Sequence, residues 1–140
     1  MTRRVVLDAG PLVALLDRGD RYHAWARDAF AEIEPPLLTC EAVIAEAWHL
    51  MRRWSKGRDA ILDLLSRNVI VVAFDLGAEV TAVRKLAARY ASVPMSLADG
   101  CLVRMAELYS EATVVTLDGD FSVYRKHGRQ VIPMLRPSVS

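Results

Sequence analysis

Five carboxylates stand where their neighbours suggest more than solvation. Asp8, Asp75 and Asp118 each follow a short aliphatic run: Val5 to Leu7, Val69 to Phe74 and Thr113 to Leu117. In an open parallel sheet, ligands bind beyond the carboxyl ends of the strands, so an acid at that point is well placed for chemistry. The same position suits a turn or a helix N-cap, and position alone does not choose between these uses. Glu46 is the only charged residue between Glu41 and Arg52. Helical spacing sets Val43 and Leu50 on its side, and a carboxylate on so apolar a face must be paired, protonated or bound to a cation. An arginine from another helix would be one such partner. Asp99 ends Ser96-Leu97-Ala98-Asp99. These residues fit a capping box, in which Ser96 caps a helix and the acid at its third position reaches back. That geometry also sets Asp99 at the helix mouth, where it could face the strand ends.

The elements that must hold these acids alternate along the chain. Strand patterns cover Val5 to Leu7, Leu37 to Thr39, Val69 to Phe74, Thr113 to Leu117 and Val131 to Met134. Helical patterns cover Leu12 to Leu16, Tyr22 to Ile33, Ala42 to Trp54, Ala60 to Leu65, Ala78 to Tyr90 and Leu97 to Leu108. This order predicts an α/β fold with a mainly parallel sheet. The strands are nearly continuously apolar rather than alternating, as expected when helices cover both faces in three α/β/α layers.

Composition narrows the class. The chain has 140 residues, 53% of them hydrophobic and 25% charged, which predicts one folded domain and excludes a disordered tail. A net charge of +1 gives no general attraction to nucleic acid, so any such attraction must be local. Two basic groups qualify: Arg52, Arg53, Lys56 and Arg58 around Trp54, and Arg125, Lys126 and Arg129 near His127. Both could contact phosphates, or simply solvate a helix end and a loop. Trp54 suits base stacking, core packing or a dimer contact. Cys40 and Cys101 match no metal-finger or redox spacing and read as free thiols in a reducing compartment. A strand pattern beginning at Val5 leaves no room for a signal peptide, and no apolar stretch suits a membrane span, so a cytoplasmic protein is expected.

Four blocks together resemble the PIN-domain family, and within it the stand-alone bacterial ribonucleases of the VapC toxin type. They are Val5 to Asp8 followed by Pro11 to Asp17; Thr39 to Glu46; Met95 to Asp99; and Val114 to Phe121. The blocks occur in the family's order over nearly the whole chain. The resemblance implies a PIN-like fold in which Asp8, Glu46, Asp99 and Asp118 form an acidic metal site, with Asp120 nearby and Thr116 as an accessory hydroxyl. It leaves Asp75 as a non-catalytic strand-end residue. Family members often carry a hydroxyl or amide just after the first aspartate, whereas Ala9 and Gly10 follow Asp8 here.

Such a site implies hydrolysis of RNA phosphodiester bonds. Carboxylates suit hard ions, and Mg²⁺ or Mn²⁺ fits better than zinc because no His lies within the four blocks. Two carboxylates about 5 Å apart repel by roughly 3 kcal/mol at an effective dielectric near 20, which a cation would relieve. Asp8, Asp99 and Asp118 are the expected metal contacts, while Glu46 would bind metal or orient the attacking water. The implied partners are an RNA substrate, an antitoxin protein and a second copy of the chain, with apolar helical faces around Trp48 and Met51 as the dimer contact. Asp120 is expected to cap a short helix starting at Phe121. Three rival readings remain: phosphotransfer through Asp8 as covalent nucleophile, a DNA-directed nuclease, and a binding module without catalysis. Against the first, Gly10 occupies the place where a second acid would stand; against the last, the acidic set is complete.

Overall fold

The structure is a computed structural model and describes residues 4–138. A central sheet forms from β1 (Val5–Leu7), β2 (Leu37–Thr39), β3 (Ile70–Val72), β4 (Thr113–Val115) and a late edge strand at Met134–Leu135. From one edge to the other the order is β3, β2, β1, β4 and the late strand, and every pairing is parallel. The helices are α1 (Ala9–Leu16), α2 (His23–Ala31), α3 (Glu41–Leu50), α4 (Ser55–Ser66), α5 (Leu76–Arg89) and α6 (Leu97–Leu108). They flank the sheet, giving the layered α/β fold expected from the sequence.

The strands, apolar apart from Thr39 and Thr113, explain the centre. Val6, Leu7, Val114 and Val115 are fully buried, which a half-solvated sheet would not allow. In α6, Ala98, Cys101, Leu102, Val103, Met105 and Ala106 are all buried, so this helix is enclosed on most of its circumference. It carries Asp99 in its first turn and therefore delivers that acid from the interior.

Two elements differ from the sequence expectation. The single helix expected over Ala42 to Trp54 ends at Leu50, and α4 starts at Ser55, five residues ahead of the expected Ala60. Gly57 explains the tight junction. Its missing side chain leaves room for Met51 and Trp54, because a Cβ there would lie 2.6 Å from the Trp54 ring and closer still to the Met51 methyl. The strand expected over Val131 to Met134 divides in two. β5 (Arg125–Lys126) and β6 (Gln130–Val131) form an antiparallel ribbon, while β7 (Met134–Leu135) is the late strand beside β4. Pro133 stands between β6 and β7, where it offers no N–H to a ladder. The ribbon turns at His127 (φ 51°) and Gly128 (φ 83°), a left-handed conformation that glycine adopts at little cost.

Candidate active site

Parallel pairing gathers the carboxyl ends of the strands on one edge. Asp8 leaves β1 there, with its N–H still bonded to Val115 O at 3.0 Å. Its carboxylate is held on both oxygens. Oδ1 accepts from the Ala9 N–H at 2.7 Å, capping α1, and Oδ2 accepts from the Thr116 hydroxyl at 2.7 Å. Thr116 Oγ1 in turn accepts from the Asp118 N–H at 2.9 Å. One buried hydroxyl thus ties the acid after β1 to the acid after β4.

Asp99 is also buried. Ser96 Oγ accepts from the Asp99 N–H at 3.0 Å, so half of the expected capping box forms. The other half is replaced: Asp99 Oδ2 accepts from the Tyr124 hydroxyl at 2.9 Å. Tyr124 is fully enclosed, edge-on to Tyr90 and Phe121 with ring centroids 5.0 and 5.1 Å away. Burial and the adjacent Asp99 push its phenol above the ordinary range, so it remains a proton donor. Sequence reasoning missed Tyr124, whose only local signal was an aromatic residue two positions past the short 3-10 turn.

Glu46 needs correction. It lies on an exposed stretch of α3 rather than on a buried apolar face; Val43 is buried, but Leu50 on the same side is half exposed. Among the described residues it has no arginine partner within ion-pair distance. Its environment is nonetheless that of the acidic mouth. Partial loss of water raises its pKa, and the charges of Asp99 and Asp118 raise it further. Burial likewise raises Asp99, with Asp118 adding and the Tyr124 bond opposing. Asp8 is pushed up to about 6 by burial, against the Thr116 and Ala9 bonds and with help from Asp99 and Glu46. Asp8 thus lies within electrostatic reach of Asp99 and Glu46, and Asp118 within reach of the same two.

The span that holds all of these acids is also the span of a known family: the PIN domain model matches residues 5–127. The chain belongs to the PIN domain family. Among solved structures it is similar to Mycobacterium tuberculosis VapC20, described as a Sarcin-Ricin loop cleaving toxin. That likeness has a TM-score of 0.74 at 23% identity, and covers 85% of this chain and 93% of that one. No curated protein matches the chain.

Whether this PIN domain's acids suit a metal depends on their donor chemistry. Among the described residues, no three His, Cys, Asp or Glu side chains stand ready as a closed metal cage. The donors at the mouth are carboxylate oxygens; burial first, and neighbouring acids second, raise the pKa values of Asp8, Glu46 and Asp99, and hard oxygen donors of this kind fit Mg²⁺ or Mn²⁺. The cysteines are free and buried, and the neighbouring Cys101 thiol together with burial pushes the Cys40 thiol well above its usual range.

Asp118 and Asp120 divide their roles differently from the sequence expectation. Asp118, not Asp120, caps the short 3-10 turn Gly119–Ser122, its Oδ1 accepting from the Asp120 N–H at 2.9 Å. Asp120 is exposed and has no side-chain bond among the described residues. An asparagine at 118 keeps the capping oxygen, so Asp118→Asn is expected to weaken Mn²⁺ binding with little change in Tm. Asp120→Ala is expected to shift stability by no more than about 0.5 kcal/mol, the surface scale, rather than the loss of a cap. Parallel melting curves and Mn²⁺ titrations check both, and a large Tm loss in Asp120→Ala would contradict the placement. Asp75 caps α5 through the Ala78 N–H at 3.3 Å, in keeping with the structural role implied for it.

Tyr124→Phe isolates the buried bond to Asp99. A hydrogen bond to a charged acceptor contributes about 1.5–3 kcal/mol, so the variant should lose stability of that order where Asp99 is ionised. The bond lowers the Asp99 pKa, hence its removal raises it further, and the stability loss should shrink as acidification protonates Asp99 in both proteins. Melts over a pH series from about 8 downward through the range where carboxylates titrate read this. A Tm loss constant across the whole series would detach Tyr124 from the Asp99 charge.

The basic groups are only partly free. Arg58 lies 4.7 Å over the Trp48 ring and donates to Trp48 O at 2.8 Å, so it braces the α3–α4 junction. Arg52 bonds to His49 O at 3.1 Å, while Arg52, Arg53 and Lys56 are exposed. Met51 is buried and Trp48 half-buried, so neither offers the exposed contact expected of them; Leu50, Trp54 and Leu62 do.

Proposed function

We propose that this PIN domain is a metal-dependent endoribonuclease that hydrolyses RNA phosphodiester bonds, acting as the toxin of a toxin–antitoxin pair. What supports this reading is an oxygen-only donor set beyond the parallel strands, with Asp8 and Asp118 tied through Thr116, Asp99 held by Tyr124, and Glu46 exposed beside them. Asp8, Asp99 and Asp118 would hold Mg²⁺ or Mn²⁺. When bound, the ion supplies a lowered water pKa and neutralises charge on the phosphate.

The chain's own residues do the positioning. Thr116 fixes Asp8 and the Asp118 backbone together, and Tyr124 fixes Asp99, so the acids are held before substrate arrives. Glu46, exposed at the rim, is suited to accept the proton of an attacking water or to add a metal contact. The toxin assignment draws on the fold shared with VapC20, described as a Sarcin-Ricin loop cleaving toxin, and implies an antitoxin partner that blocks the mouth. Exposed Leu50, Trp54 and Leu62 favour a homodimer through α3 and α4. Among the described residues, no helix is long and apolar enough to cross a membrane.

Matched single-stranded RNA and DNA oligonucleotides, each incubated with Mg²⁺ or Mn²⁺, test the substrate class. Internal cleavage of the RNA with the DNA intact is expected. Cleavage of the DNA alone would overturn the ribonuclease reading while keeping a nuclease.

A further inference from the structure

The acidic mouth has a basic neighbour on the same sheet edge. Asp8 follows β1 and Asp118 lies just past β4, the next strand, while Arg136 directly follows β7, which runs parallel to β4. The Thr116 N–H bonds to Leu135 O at 3.2 Å, holding these two strand ends together. A Cβ added at Gly119, next to Asp118, would stand 3.6 Å from Arg136 Nη2. Arg136 therefore borders the acids, yet among the described residues it joins no ion pair. Its Nε is buried without a hydrogen-bond partner. Arg136 as a whole is only half-buried, but an enclosed donor nitrogen lacking an acceptor is costly, and an arriving anion would relieve it.

Arg136 lines a cleft of about 520 Å³ together with Arg21, Tyr22, Trp25 and Leu117. The Arg21 guanidinium lies 5.2 Å over the Tyr22 ring, which keeps this second charge at the cleft wall. Trp25 is half-buried, anchored at one side to the core. Leu117 joins the cleft to the mouth, because the next residue is Asp118. Two guanidiniums beside aromatic rings meet the two needs of a single-stranded nucleotide: charge for its phosphate and a flat face for its base.

We propose that this cleft is a substrate subsite for single-stranded RNA, with Arg136 and Arg21 contacting the phosphate next to the scissile one and Trp25 receiving the attached base. The assignment rests on the reading of the acidic mouth as an RNA-cleaving centre. It gives a chain of nearly neutral net charge the local positive field that its acidic centre requires. A duplex would keep its bases stacked and unavailable to Trp25, so the subsite selects unpaired nucleotides.

Anisotropy of a fluorescein-labelled single-stranded oligoribonucleotide, measured with chelator at low salt, reads binding apart from cleavage. Arg136→Gln, Arg21→Gln and Trp25→Leu are each expected to weaken Kd by about tenfold, while Arg136→Lys and Trp25→Phe recover much of it. Each arginine loss should also reduce the slope of log Kd against log salt by about 0.7, a signature that a merely structural role would not give. In cleavage assays KM should rise far more than kcat falls. Arg21 is exposed, so its variant remains informative if Arg136→Gln does not fold. Unchanged Kd, KM and salt slope in folded variants would overturn the subsite, as would displacement of the RNA by poly-glutamate without dependence on Trp25, which would assign the cleft to an acidic peptide. A parent protein that binds through these residues but cleaves no RNA would sink the nuclease reading and leave the subsite standing.

Discussion

Asp99→Asn is expected to lower RNA cleavage by at least about 100-fold with the fold intact, since even the outer partners of metal ligands cost 10–100-fold when removed. The substitution is nearly isosteric and keeps the Ser96 cap, which bonds to the backbone of residue 99 rather than to its side chain. It removes the charge that Tyr124 orients and that the Asp8 and Glu46 carboxyls feel. Stability should hold or rise without metal, because one repulsive charge has left a desolvated cluster. Cleavage rate and Tm measured on the same preparation separate chemistry from folding. A folded variant that cleaves at the parent rate would remove Asp99 from the mechanism.

Asp8→Asn should produce the largest change in stability. Burial raises the Asp8 pKa from the ordinary 3.8 to about 6, so the folded state binds this proton more tightly than the unfolded chain does. Stability from this group is therefore greatest below about pH 4, falls as pH rises through the window from 4 to 6, and stays low above it. Neutralising the side chain removes that penalty. The gain in chelator at pH 8 should approach but not exceed about 3 kcal/mol, and should vanish near pH 4. Added Mn²⁺ should stabilise the parent and not the variant, reversing their order. The same proton competes with the ion, so metal binding by the parent should weaken as pH drops below about 6. Melting curves at pH 4 and pH 8, with and without Mn²⁺, check every sign. A variant less stable than the parent in chelator at pH 8 would mean the Thr116 and Ala9 bonds outweigh the cost of burying the charge.

The parts of this site that are legible in the sequence are those set by local pattern. Val5 to Leu7 and Thr113 to Val115 announce buried parallel strands through β-branched and aliphatic residues, and the acids that follow them inherit the sheet edge. The helix over Leu97 to Leu108, with Ser96 as its cap, is equally local. What stays hidden is decided across the chain. Tyr124 reaches Asp99 from 25 positions away, and Thr116 reaches Asp8 from 108. Neither bond leaves a mark in the neighbouring residues. Glu46 misled through its apolar neighbours, because the helix turns only part of that face toward the core and leaves Leu50 half exposed. Asp118 and Asp120 exchanged capping roles because β4 ends at Val115, so the turn begins before Phe121. Arg136 was not read from the sequence, since the division of the last strand at Pro133 sets where β7 ends.

A metal held by the acids at the strand ends is expected to be what lets this protein cut RNA. A chelator-treated preparation, titrated with Mn²⁺ while internal cleavage of a fluorescent single-stranded RNA is followed, with Asp99→Asn in parallel, decides this. No cleavage in chelator, saturable recovery with Mn²⁺ in the parent, and almost none in the variant is the predicted result; undiminished cleavage in chelator, or equal recovery in both proteins, would contradict it.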